Sequence, residues 1–115
     1  MAVVDDDEAV RDSLRFLLET AGFHVVTYGS AGQFLAEAKP GDLVCLVVDQ
    51  HMPDQTGLQL VSRLRHQGSA LPIALITGSP SADLARRAQE LGVSTVLEKP
   101  LIDDVLLDFI ERAGA

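Results

Sequence analysis

Two hydrophobic periods take turns along this chain, and the alternation repeats five times. Short β-branched runs at Val3-Val4, Phe23 to Thr27, Leu43 to Val48, Pro72 to Ile76 and Thr95 to Leu97 read as strands. Between them, apolar residues recur at helical spacing. Val10, Leu14, Leu17, Leu18 and Ala21 mark a first helix face, and Phe34, Leu35 and Ala38 a second. Leu60, Val61 and Leu64 mark a third, Leu84, Ala88 and Leu91 a fourth, and Ile102, Val105, Leu106, Phe109 and Ile110 a fifth. Strand–helix alternation of this kind predicts an α/β fold, a parallel sheet covered by helices on both faces, because a parallel crossover is long enough to hold a helix. The third run is apolar throughout, as a central strand buried on both sides requires.

The punctuation agrees with that division. Gly22, Gly68 and Gly92 fall where helix C-terminal turns belong, and Ser30, Thr56 and Ser81 where N-caps belong. Asp103 and Asp104 suit the start of the last helix and Arg112 its end, through the macrodipole. No linker, low-complexity tract or internal repeat interrupts the pattern, so residues 1–115 read as one domain.

With 47% hydrophobic residues the chain holds enough apolar material for a core without disulfides or a structural metal. Aromatics are only 4%, which leaves the packing to Val, Leu, Ile and Ala. The net charge of −8 argues against direct nucleic-acid binding, which draws on Lys and Arg at phosphates. The single cysteine, Cys45, lies inside an apolar run and reads as a small buried hydrophobe. No signal peptide and no apolar run of membrane-spanning length is present, which makes the cytoplasm the expected location and no membrane contact the expectation.

In an open parallel sheet, ligands bind beyond the carboxyl ends of the strands. Strand one ends in Asp5-Asp6-Asp7, strand three in Asp49 and strand four in Thr77, and Lys99 follows strand five. If strands one, three, four and five lie side by side, these groups meet in one crevice. Clustered aspartates repel one another, and a dication with oxygen ligands such as Mg²⁺ offsets this. The other reading of Asp5 to Asp7 is that they cap the first helix. Asp49 closes the most apolar strand, where an unpaired acid is expensive. A carboxylate beside a cation can attack a phosphoryl group, with a hydroxyl from Thr77 and an ammonium from Lys99 to hold the charge.

Taken together these residues resemble the receiver domain of bacterial response regulators, the CheY-like superfamily. The matching pieces are Val3-Val4-Asp5-Asp6-Asp7-Glu8, Val48-Asp49-Gln50-His51-Met52-Pro53-Asp54 with Gly57, Ile76-Thr77-Gly78, and Glu98-Lys99-Pro100. They stand in the family's order and spacing over essentially the whole chain, and Val3 to Leu14 looks closest to the FixJ/NarL branch. The resemblance implies a flavodoxin-like (βα)5 fold with sheet order 2-1-3-4-5. It implies that Asp5, Asp6, Asp49 and the backbone carbonyl of His51 hold Mg²⁺. Asp49 would accept a phosphoryl group from a sensor histidine kinase or histidine phosphotransfer protein, with Thr77 as switch hydroxyl and Lys99 as salt-bridging cation. The chain would then catalyse only its own phosphorylation and dephosphorylation, switch conformation to control a signalling output, and allow a phosphorylation-dependent homodimer. A cis Lys99–Pro100 bond is implied as well.

Two departures stand out. Val96 occupies the place where the family carries Tyr or Phe, so an aromatic readout is not expected. The chain also ends at Ala115 without a DNA-binding helix-turn-helix, which reads as a stand-alone receiver or as one cut from a longer regulator or hybrid kinase. His51 and Ser79, each two residues beyond a site residue, are expected to tune the acyl-phosphate lifetime. His24 and His66 read as ordinary surface or packing residues. A phosphatase of the haloacid-dehalogenase type would want an acid where His51 stands, and a flavodoxin-type flavin site would want hydroxyls and amides where Asp5 to Asp7 stand. A pseudo-receiver that only docks would not need the full acid set.

Overall fold

The computed structural model describes residues 1–101 and 103–114. Five parallel strands alternate with five helices: β1 (Ala2–Val4), α1 (Glu8–Thr20), β2 (Val26–Tyr28), α2 (Ala31–Glu37), β3 (Leu46–Asp49), α3 (Gly57–His66), β4 (Ile73–Thr77), α4 (Ala82–Glu90), β5 (Thr95–Glu98) and α5 (Asp103–Arg112). The sheet order is β2-β1-β3-β4-β5, as expected. Val4 pairs with Val48, Asp49 with Ile76 and Thr77 with Glu98, so the strands end almost level with one another.

Alternation along the strands sorts the core into two layers. Val4, Leu46, Val48, Ile73 and Leu75 pack with Phe34 of α2, Leu60, Val61 and Leu64 of α3, and Leu84 and Ala88 of α4. Val3, Val47, Ala74, Ile76 and Leu97 pack on the opposite face with Leu14 and Leu18 of α1 and Leu106, Phe109 and Ile110 of α5. Cys45 is buried in the second layer, which pushes its thiol pKa up. Tyr28 and Phe34 meet edge to face at 5.3 Å and join α2 to the end of β2.

The helix starts follow local chemistry. Ser30, Thr56 and Ser81 all cap through their hydroxyls, and Thr56 forms a reciprocal capping box with Gln59. Gly22, Gly68 and Gly92 take positive φ just past the ends of α1, α3 and α4. Helix α4 buries only Leu84 and Ala88. Its far end is fastened by Arg65 of α3, which donates to Leu91 O at 2.8 Å and Gly92 O at 3.2 Å.

Some expected boundaries move. Phe23 to Val25 lie ahead of β2, a three-residue edge strand whose Val26 is exposed. Leu43 and Val44 precede β3, with Leu43 closing a 3-10 turn over Pro40–Asp42, and Val44 is exposed. Pro72 lies outside β4, its carbonyl accepting from Leu46 N–H at 2.9 Å. Val105 was expected on the buried face of α5 and is exposed instead, because Leu106, Phe109 and Ile110 already fill the stripe that meets the sheet. Ile102 lies outside the described residues.

Candidate functional site

The acidic end of β1 divides its work. Asp7 is the N-cap of α1, its carboxylate accepting from Ala9 N–H at 2.9 Å and Val10 N–H at 3.3 Å. Asp5 and Asp6 instead gather with Asp49, one carboxylate oxygen from each lying within 4.8 Å of the other two. The helix-capping reading therefore holds for Asp7, while Asp5 and Asp6 stand with Asp49 where a cation could be held. Asp5 is 1% exposed and Asp49 3%, while Asp6 stands in solvent.

Asp5 is tightly held. Its N–H donates to Tyr28 O at 3.1 Å, its carbonyl accepts from Arg11 Nη1 at 2.6 Å, and its Oδ1 accepts from Asp7 N–H at 2.9 Å. Oδ2 is buried and meets no hydrogen-bond donor among the described residues. Burial raises the Asp5 pKa, the Asp7 amide pulls it down, Asp49 pushes it up, and Lys99 and Asp6 add smaller opposing effects. An orphaned carboxylate oxygen facing two further carboxylates suits a hard dication that accepts oxygen ligands, and Mg²⁺ fits that donor set.

The remaining predicted residues close around the same point. Lys99 Nζ stands 3.3 Å from Asp49 Oδ1 and 3.8 Å from Asp5 Oδ2. Its backbone N–H donates to Thr77 O at 2.9 Å, and a cis bond joins it to Pro100. Thr77 is fully buried, and its Oγ1 accepts from Ser79 N–H at 3.0 Å with His51 Nε2 3.4 Å away. The His51 N–H donates to Asp49 Oδ1 at 3.4 Å. Asp5, Asp6, Asp49, His51, Thr77 and Lys99 thus share one end of the sheet. His24 and His66 are exposed and remote from these contacts, and Val96 is half-buried against the layer that holds α4.

Sequence reasoning missed three supporting residues. Gln50 is buried, and its Oε1 accepts from Leu58 N–H at 2.9 Å, which ties the end of β3 to the start of α3. Asp54 accepts from Gly32 N–H at 2.9 Å and holds the β3–α3 loop to α2. That bond leads the effects that keep its pKa low. Arg11 had a readable signal: a cation in the first turn of a helix opposes the macrodipole. On the outer side of the site, an apolar groove runs between α1 and the segment after β5, lined by Val10, Leu14, Leu17, Lys99 and Leu101. Phe16 borders it and is 75% exposed.

The model of the response regulator receiver domain family matches residues 1–111. The chain is 46% identical over 112 residues to the transcriptional regulatory protein FixJ of Bradyrhizobium diazoefficiens, which covers 96% of this chain and 54% of that protein. Among solved structures, full-length FixJ from B. japonicum superposes with a TM-score of 0.86 at 45% identity, over 97% of this chain and 55% of that one. The Vibrio cholerae chemotaxis protein CheY4 superposes with a TM-score of 0.88 at 27% identity, over 97% of this chain and 95% of that one. The chain therefore spans about half the length of the FixJ relatives it matches. With its five-stranded 2-1-3-4-5 sheet and its strand-end acids, it belongs to the CheY-like receiver domains of two-component response regulators.

Proposed function

We propose that Asp49 is the phosphoacceptor of a phosphorelay and that residues 1–115 act as one receiver unit. The donor is a phosphohistidine on a sensor histidine kinase or a phosphotransfer protein. The P–N bond to the donor imidazole breaks, an Asp49 Oδ–P bond forms, and the imidazole departs. Asp5, Asp6, Asp49 and the His51 carbonyl are the residues that would hold Mg²⁺, which when bound neutralises charge on the transferring group. Lys99, just past β5, supplies a second positive charge. The observation that carries this reading is the convergence of the Asp5 Oδ2 orphan, Asp49 and Lys99 beside the buried Thr77 hydroxyl.

In the acyl-phosphate state the Thr77 hydroxyl donates to a phosphoryl oxygen. Its present contacts with Ser79 N–H and His51 are then re-made, and the segment leading into α4 shifts. Val96 is β-branched and short, so the change leaves through that segment rather than through a swinging ring. His51 and Ser79 flank the path of hydrolytic water and set the lifetime of the modification. The domain acts on itself and does not turn over a substrate. The FixJ relatives are named transcriptional regulatory proteins, and by likeness the switch governs such an output in the cytoplasm, without direct nucleic-acid or membrane contact by this domain. A phosphorylation-dependent homodimer is part of the same reading.

The test is incubation with acetyl phosphate and Mg²⁺, followed by intact mass measurement. Wild type is expected to gain the mass of one phosphoryl group and Asp49→Asn none. Equal labelling of the variant, or no labelling of wild type, overturns the assignment.

A further inference from the structure

Arg11 is not explained by the helix that carries it. It lies in the first turn of α1, where the macrodipole disfavours a cation. Its side chain folds back toward the N-terminus, the direction helical side chains take, and Nη1 donates to the Asp5 carbonyl at 2.6 Å. The guanidinium also lies against Gly29, in the loop after β2. A Cβ added there would come 3.4 Å from Nη1, an ordinary van der Waals contact with the end of a flexible side chain.

Asp5 offers four polar groups, and three have partners in the chain: Tyr28 O for the N–H, Arg11 for the carbonyl, and the Asp7 N–H for Oδ1. Only Oδ2 lacks a hydrogen-bond partner among the described residues, with the Lys99 ammonium 3.8 Å away. Arg11 holds the far side of the Asp5 peptide, and without it the turn into α1 loses its fastening at the residue whose carboxylate points at Asp49.

We infer that Arg11 is a positioning residue for the cation site: it holds the Asp5 backbone so that Oδ2 points into the space shared with Asp6 and Asp49. This rests on the Mg²⁺ reading above. The two effects of Arg11 on a dication have opposite signs. As a neighbouring positive charge it repels Mg²⁺, so charge alone makes Arg11→Ala bind more tightly. As an orienting contact it favours Mg²⁺, and losing such a partner weakens metal affinity by about tenfold or more.

The experiment is calorimetric Mg²⁺ titration of wild type, Arg11→Ala and Arg11→Met, with hydrogen exchange of the Asp7 amide in the metal-free proteins. Arg11→Ala is expected to bind about tenfold more weakly. Arg11→Met keeps the aliphatic stem but has no donor for the Asp5 carbonyl, and is expected to show a similar loss. The Asp7 amide exchanges faster in Arg11→Ala. Affinity equal to or tighter than wild type in Arg11→Ala overturns the inference. Should Arg11→Ala not fold, unchanged affinity in Arg11→Met overturns it. Wild type that binds no Mg²⁺ overturns the cation reading instead. The Asp7 amide still decides the positioning claim in that case, and unchanged exchange rejects it.

Discussion

The ammonium of Lys99 reaches the carboxylate of Asp49 at 3.3 Å across the end of β4, linking two strands that do not touch in the sheet. Lys99 is therefore a resident cation in the space where a dication would be held. Lys99→Ala is expected to tighten Mg²⁺ binding and to lower stability without metal. The loss should fall short of the roughly 3–5 kcal/mol for breaking a fully buried pair. Lys99 is 34% exposed, and solvent screens part of the interaction. Denaturant unfolding with and without Mg²⁺ reads both effects, and unchanged metal-free stability would contradict the pairing.

Asp5→Asn is expected to raise metal-free stability while weakening Mg²⁺ binding. The amide oxygen can keep the bond from Asp7 N–H, and the amide group can donate to Asp49 where a buried carboxylate oxygen now has no donor. Melting temperatures in chelator, beside Mg²⁺ titrations, check this. A lower melting temperature would show that the charge is needed for the fold itself.

Gly57 lies where the chain leaves the site loop for α3. A Cβ there would come 2.7 Å from Asp49 O and 2.7 Å from Leu75 Cδ1. The first contact is backbone and cannot rotate away. Gly57→Ala is expected to destabilise by about 1–3 kcal/mol, the usual range for overpacking. It should also slow labelling of Asp49, since the strain falls on that residue's own peptide. Normal stability would mean that the loop opens more easily than its contacts indicate.

Asp54 gives a pH prediction. Its folded pKa is held below the usual value near 3.9, chiefly by the Gly32 N–H. A lowered folded pKa means the unfolded chain binds more protons, so this contribution is present above about pH 3.9 and is lost as pH falls through the folded value. Asp54→Ala should melt slightly below wild type at neutral pH, and the gap should close in acid. The carboxylate is largely exposed, so the effect is small. A gap that widens in acid would be inconsistent with the assignment.

Phe16 gives a prediction that would separate two kinds of phosphodonor. A large exposed aromatic beside a groove that reaches Lys99 is suited to a protein partner rather than to a small donor. Phe16→Ala is expected to keep its labelling by acetyl phosphate and to lose about tenfold in transfer from the cognate kinase, the size of one interface anchor. Equal loss with both donors would place the effect on the site rather than on docking.

The features legible in the sequence are those that local chemistry or the parallel-sheet rule determines. Ser30, Thr56 and Ser81 could be placed because an N-cap depends on its own next turn. Asp5, Asp49, Thr77 and Lys99 could be gathered because parallel strands deliver their ends to one side. Edge strands and tertiary ties were less visible. Phe23 to Val25 resemble a strand in composition but lie ahead of β2. The bonds from Arg11 to the Asp5 carbonyl, from Gly32 to Asp54 and from Arg65 to Leu91 join separate elements or loops and follow no periodicity.

The acids that meet at this site lie 44 residues apart in the chain, at Asp5 and Asp49, and only a correctly ordered sheet brings them within reach. A slip of one residue in β1 or β3 would turn either carboxylate to the opposite layer. Non-local pairing of this kind forms late in folding, after the entropy of closing long loops has been overcome. A ligand that needs both carboxylates therefore counts finished molecules. In a refolding experiment its uptake should lag behind helix formation and appear only with the last step of sheet assembly, making the site a timekeeper for the fold that carries it.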